Sequence, residues 1–103
     1  MTIATVSLRG HLTTLALGTA LSSVDASATA LLVDATEMSD YDAGAREAFV
    51  AWNERVRERI TRVAIVTHKP LWRMVISAMG VASRQKMKAF DTVDSARAWL
   101  VSA

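Results

Sequence analysis

Glu37, Asp40 and Asp42 place three carboxylates within six positions of "EMSDYDAGARE" (residues 37–47). Asp34 stands just before them. Four acids this close are the donor type a hard cation such as Mg²⁺ takes. The same residues also suit a simpler role, as solvated loop acids with Asp42 capping the helix that follows. The capping reading is favoured, because a carboxylate accepts the orphan amide hydrogens of a first helical turn. A phosphoacceptor arrangement would use Asp34 at a strand end, with Thr67 at the next strand end and Lys88. That design needs an acidic pair after the first strand, and "LRGHLT" has none.

Other chemistries find little support. The chain has no cysteine, which excludes disulfides, thiol catalysis and thiolate metal sites. Its two histidines, His11 and His68, are too few for a histidine-based cluster. His68 follows an apolar run, near where open α/β sheets place their sites, and it reads as an exposed loop residue. No GxGxxG, GxxxxGK[ST] or GxSxG segment occurs. Ser39 has acids nearby but no neighbouring histidine to activate it. No strand alternates basic and aromatic residues as a single-stranded nucleic-acid platform would. The reading is therefore a non-enzyme with no cofactor, no metal and no nucleic-acid partner.

The elements that position these residues follow from hydrophobic periodicity. At 103 residues the chain has room for one domain, spanning 1–103. "TIATVSLRG" alternates as a strand that Gly10 ends. "HLTTLALGTALSS" reads as a helix with Leu12, Leu15, Ala16, Thr19 and Ala20 inward and Thr13 or Thr14 as cap. "ATALLVDA" (28–35) is an apolar run suited to a strand buried on both faces. "DAGAREAFVAWNERVRERI" (42–60) is the clearest helix, with Ala45, Phe49, Trp52, Val56 and Ile60 on one stripe. Arg46, Glu47, Asn53, Glu54, Arg57 and Glu58 fall outside that stripe. "RVAIVTH" (62–68) is a second buried strand, and "KPLWRMVISAMG" is a helix from Pro70 to a stop at Gly80. "KMKAF" (86–90) is a short strand. "DTVDSARAWLVSA" is a last helix with Asp91 or Thr92 as cap and Val93, Ala96 and Leu100 inward.

This order, β-α-β-α-β-α-β-α, predicts an α/β fold of four to five mainly parallel strands in a mixed sheet, with about four helices. The third helix has two apolar sides. Leu71, Met74, Val75 and Ala78 form one, and Trp72, Ile76 and Met79 form the other. One side is core, and the second is a candidate interface or pocket. Charge is uneven. Residues 1–45 hold one arginine against five acids, net −4, and residues 46–103 hold eleven Lys/Arg against five acids, net +6. No apolar run reaches the roughly 18–20 residues of a membrane span. With no signal-peptide pattern at the start, the expected location is the cytoplasm.

"VSLRGHLT", a helix, then "ALLVDATEMSDYDAGA" resembles the STAS domain, the family of bacterial anti-sigma-factor antagonists. "LLVDATEM", "RVAIVTHKPLWRMV" and "MKAFDTVDSARAWL" resemble its SpoIIAA-like branch in particular, which overlaps in fold with lipid-binding CRAL-TRIO domains. The resemblance spans nearly the whole chain. It implies a regulatory domain acting by protein–protein interaction, with an anti-sigma factor or kinase-like regulator as partner. It also implies that the strand-to-helix loop is the contact spot. In phosphorylatable members that loop reads roughly Asp-Ser-Ser/Ala-Gly, and a kinase modifies the first serine. Here Asp42 matches the aspartate, Ala43 takes the serine position and Gly44 or Ala45 stands near the glycine. Without a hydroxyl at position 43 the switch is lost there. The expected contact residues are Asp40, Asp42, Ala43, Gly44 and Arg46, with exposed parts of the third helix. The alternative is a small apolar molecule or lipid held near Trp72, Ile76 and Met79. Homodimerisation through that same stripe is a further expectation.

Overall fold

A computed structural model of the chain describes residues 2–102. Its elements alternate as β1 (Ile3–Leu12), α1 (Thr14–Ser22), β2 (Ala30–Tyr41), α2 (Ala43–Val56), β3 (Arg62–Val66), α3 (Pro70–Ser83), β4 (Met87–Phe90) and α4 (Val93–Val101). The four strands form one sheet in the order β1-β2-β3-β4, and every neighbouring pair is parallel. Parallel neighbours need a crossover, and each connecting helix supplies one.

The sheet is covered unequally. α1, α2 and α3 pack side by side on one face, over Leu31 and Val33 of β2 and Val63 and Ile65 of β3. Among the described residues α4 alone covers the other face, over Ala30, Leu32, Ala64 and Val66. Successive residues of β2 and β3 thus meet different layers, and both layers are dry. This is why the two strands read as unbroken apolar runs. α4 seals its face with Ala96 and Leu100, both fully buried. Its start is capped by Thr92, whose hydroxyl oxygen accepts from the Ser95 amide at 3.1 Å. Its end is held by Arg62, which donates to the carbonyls of Trp99 (2.6 Å) and Ser102 (2.8 Å).

The structure corrects several boundaries. β1 does not stop at Gly10 but runs through it to Leu12, and β2 does not stop at Ala35 but continues to Tyr41. The two strands therefore project past β3 as a two-stranded ribbon. β2 has one extra residue between the pairs Ser7–Asp34 and Arg9–Glu37, and another between Gly10–Met38 and His11–Asp40. Each extra residue is a bulge that breaks the period of two. Inward positions on β2 then fall at Val33, Ala35, Met38 and Tyr41, with steps of two, three and three. Gly10 sits beside the second bulge with φ +57, a conformation that costs other residues and not glycine.

Gly80 does not end α3. The helix continues to Ser83 and closes on Arg84, which adopts the left-handed conformation (φ 59) and donates its amide to Gly80 and Val81. Gly80 is instead a packing position, because a Cβ there would lie 3.2 Å from Met87 Cβ and 3.3 Å from the Gln85 carbonyl oxygen. α1 is turned from the expected phase. Leu17 and Leu21 are its buried residues, and Leu15 is 82 % exposed. Asn53 was expected outside the core, but it is fully buried. Its amide donates to the Phe49 carbonyl at 2.9 Å, and its carbonyl receives the Gln85 amide at 3.4 Å.

Candidate functional site

The ribbon delivers the acidic stretch to the sheet edge where α2 begins. Glu37 to Tyr41 are strand residues, and the turn itself is short, essentially Asp42 between β2 and α2. Each acid has its own partner. Asp34 accepts from the amide and hydroxyl of Thr36 at 3.1 and 2.7 Å. Glu37 meets Arg9 across the ribbon at 3.2 Å. Asp40 accepts from the Tyr41 amide at 2.8 Å. Asp42 pairs with His11 Nε2 at 2.6 Å. Among the described residues no three His, Cys, Asp or Glu side chains gather around a point that could hold a metal ion.

The Asp42 partner corrects the capping expectation. Asp42 occupies the N-cap position with extended backbone, but its side chain makes no capping hydrogen bond. The carboxylate turns instead toward His11, which the ribbon register places opposite Asp40. His11 was missed because the pairing depends on the β1–β2 register, 31 positions apart in the chain. The helix start is satisfied partly through the backbone, since the Asp42 carbonyl accepts from the Ala45 amide at 3.0 Å.

The five turn residues divide between two sides. Asp42 faces His11, and Gly44 packs against α1, where a Cβ would come 2.7 Å from Thr14 Oγ1. Asp40, Ala43 and Arg46 face the other way and line an open groove of about 790 Å³ between α2 and α3. Val50 and Ala51 of α2 and Ala78, Met79 and Ala82 of α3 give the groove small apolar walls. Glu47 and Glu54 add acids along its α2 side.

Trp72, Ile76 and Met79 come together at a different place. They line a partly open cavity of about 70 Å³ under α3, with Leu8, Met38 and Phe49 among its other walls. Ile76 and Met79 are buried in the main core. A subunit contact through them would require α3 to leave the sheet. The outward stripe of α3 is the other one, with Leu71 and Met74 exposed. Trp72 is half-buried, edge-on to Tyr41 at 5.7 Å, with Lys69 Nζ 4.7 Å above its ring. Lys69 also donates to the Ser39 carbonyl at 3.0 Å, tying the start of α3 to the ribbon. Tyr41, Arg46 and Met79 border both the groove and the cavity and form the wall between them. His68 lies apart from both, with its Nε2 3.0 Å from the Asp91 carbonyl, while Arg73 pairs with the Asp91 carboxylate.

Compared with known families, residues 3–101 match the model described as SpoIIAA-like. The chain belongs to the SpoIIAA-like family. The fold agrees with this. A crystal structure of an uncharacterised protein of the DUF3478 family, with a SpoIIAA-like fold, from Shewanella loihica PV-4, superposes with a TM-score of 0.67. The likeness covers 93 % of this chain and 82 % of that one, at 21 % identity, and so speaks to fold alone. No curated protein matches the sequence. No helix among the described residues is long and apolar enough to cross a membrane.

Proposed function

We propose that this SpoIIAA-like chain is a non-catalytic regulatory domain that holds a protein partner at the β2–α2 turn and in the groove the turn opens into. The supporting observation is that Asp40, Ala43 and Arg46 share the rim of one groove with apolar walls. A partner meets polar groups at the rim and buries apolar surface behind them, the usual anatomy of a specific interface. The partner class, an anti-sigma factor or a kinase-like regulator in the cytoplasm, follows from the family resemblance. Ala43 leaves the contact without phosphorylation control at that position. Asp42 is not required as a side-chain cap, so its pair with His11 serves to fix the approach of the ribbon to α2.

Ala43 is exposed at the first position of α2, so a substitution there alters the surface and spares the core. Ala43→Asp is expected to weaken capture of the partner by about tenfold or more, through desolvation of a new charge at the rim. Its thermal stability is expected to stay within about 0.5 kcal/mol of the parent. Pull-down from the native host with both proteins as bait checks this. Equal recovery of the same partner by both removes the turn from the interface.

The apolar cavity favours a second reading, a small hydrophobic ligand or lipid near Trp72, Ile76 and Met79. Its 70 Å³ is under half of the roughly 150 Å³ that accommodates benzene in an engineered cavity. A ligand of that size therefore has to displace side chains that line the cavity. Native mass spectrometry of freshly purified protein decides this reading: a co-purified apolar mass supports it, and a bare chain mass opposes it.

A further inference from the structure

The groove between α2 and α3 sorts charge. Glu47 and Glu54 stand on its α2 side, seven positions and so about 10 Å apart along the helix. Asp40 stands at its ribbon end. Both glutamates are exposed, and among the described residues neither has an ion-pair partner in the chain. Among the described residues Arg46 is the one basic residue lining the groove, so three acids against one arginine leave it net −2. The α3 side, with Ala78, Met79 and Ala82, carries no charge. Residues 46–103 hold eleven Lys/Arg and only five acids, and two of those five stand on this groove. The acidic groove is thus a local departure from the charge around it.

We infer, resting on the partner reading above, that the groove takes an amphipathic helix of the protein partner. Its basic residues face Glu47 and Glu54, and its apolar residues lie against Val50, Ala51, Ala78 and Ala82. Backbone bonding decides the element. Both walls are helices, whose interior amide and carbonyl groups are already used within α2 and α3. The groove therefore offers no ladder to an extended segment. A backbone buried here must satisfy its own hydrogen bonds, as a helix does. Alanine at 51, 78 and 82 lets the axis of such a helix come close. From Ala43 to Glu54 the α2 wall runs about 16 Å, room for three turns of the occupant.

Charge decides the class of helix. Two lysines or arginines seven apart on the occupant repeat the spacing of Glu47 and Glu54, and a positive stripe against a negative one selects partner and register. Nucleic acid and anionic membrane surfaces meet repulsion here instead. A second copy of the chain does not supply the stripe. The basic residues within its helices are Arg46, Arg55, Arg73 and Arg97, and no two on one helix are seven apart. Exposed ion pairs add modest affinity and more selectivity, so the preference between occupants is the quantity to read.

Two stapled helical peptides of about 18 residues, or five turns, test this. They share one face of leucine and alanine and differ only at two flanking positions seven apart, lysine in one and glutamate in the other. In fluorescence anisotropy the parent is expected to bind the lysine peptide about tenfold or more tighter than the glutamate peptide. The double variant Glu47→Lys/Glu54→Lys is expected to reverse that preference with an unchanged melting temperature, since both positions are exposed. Amide shifts on adding the lysine peptide are expected to centre on Ala51, Ala78 and Ala82. Binding of neither peptide, equal binding of both, or a preference that survives the charge reversal overturns the inference. So do anionic vesicles or an oligonucleotide that shift the same amides, and so does a parent dimer that the reversal dissociates. Ala43→Asp keeps the two readings apart. If it weakens capture of the host partner and Glu47→Lys/Glu54→Lys does not, the turn reading stands and the basic helix falls.

Discussion

Ile76→Glu is expected to unfold the domain. Ile76 is 4 % exposed and lies among Trp72, Met79 and the sheet residues under α3. A carboxylate there finds no basic partner in the cavity wall except Arg46, whose position is exposed. Burying an ionised group without a partner costs several kcal/mol, and loss of the isoleucine packing adds to it. A domain of this size has about 5–15 kcal/mol in total. The expected loss of more than about 4 kcal/mol removes a large part of that. It corresponds to a melting-temperature drop of about 20 °C or more, or to no cooperative transition at all. The sign of the pH response is also fixed. Burial raises the pKa of the introduced carboxyl, so the penalty is full near neutrality and fades as pH falls toward the unfolded value near 4.3. A variant that melts within a few degrees of the parent would show that α3 does not bury this side. The same substitution cannot serve as a probe of association between copies, because its first effect is on the core.

The second large effect lies at the other end of the strands. Gln85 is 6 % exposed, and its amide donates to the Ile60 carbonyl at 2.9 Å and to Asn53. Its own carbonyl accepts from the Lys86 amide at 3.1 Å. One side chain thus satisfies backbone groups in two connections, α2–β3 and α3–β4, and closes the buried Asn53. Gln85→Leu keeps the volume and removes all of these bonds. Each buried group left without a partner costs about 1–3 kcal/mol, so a loss of about 3 kcal/mol is expected, or about 15 °C. A double-mutant cycle with Asn53→Leu locates the effect. The double variant should lose at least about 1 kcal/mol less than the two single losses together, because both act on one network. Strict additivity would mean that the 3.4 Å contact between the amides contributes nothing. Partner capture should survive in folded Gln85→Leu, since the turn and groove lie elsewhere.

The residues differ in how far sequence alone revealed them. β2, β3 and α2 were visible because their patterns are local: two apolar runs and one stripe read from Ala45 to Ile60, although α2 itself ends at Val56 and Ile60 is buried just beyond it. The far half of β2 was hidden, because bulges replace the period of two by steps of three from Ala35 to Tyr41. What looked like a loop rich in acids is strand. Asn53 was misplaced because polarity suggested water, while its partner Gln85 lies 32 positions away. In α1 the stripe through Leu12 and Leu15 matches helical spacing as well as the one through Leu17 and Leu21. Only packing against α2 selects between them. For the site, the position of Ala43 followed from the family pattern. The groove beside it did not, because it depends on how α2 and α3 lie together. The His11–Asp42 pair is likewise a product of register.

The lopsided covering of the sheet has a consequence for how the chain is made. Among the described residues the face over Leu32 and Val66 has one cover, α4, which follows the other seven elements in the chain. During synthesis the first three helices can settle on their own side while the opposite side is still bare. Its apolar rows stay wet until Ala96 and Leu100 arrive and Arg62 fastens the carbonyls of Trp99 and Ser102. A nascent chain halted before α4 presents one finished surface and one adhesive one, the kind of species that aggregates or recruits a chaperone. Closure of this face therefore waits on α4 alone among the described elements, whatever the other three helices have already buried.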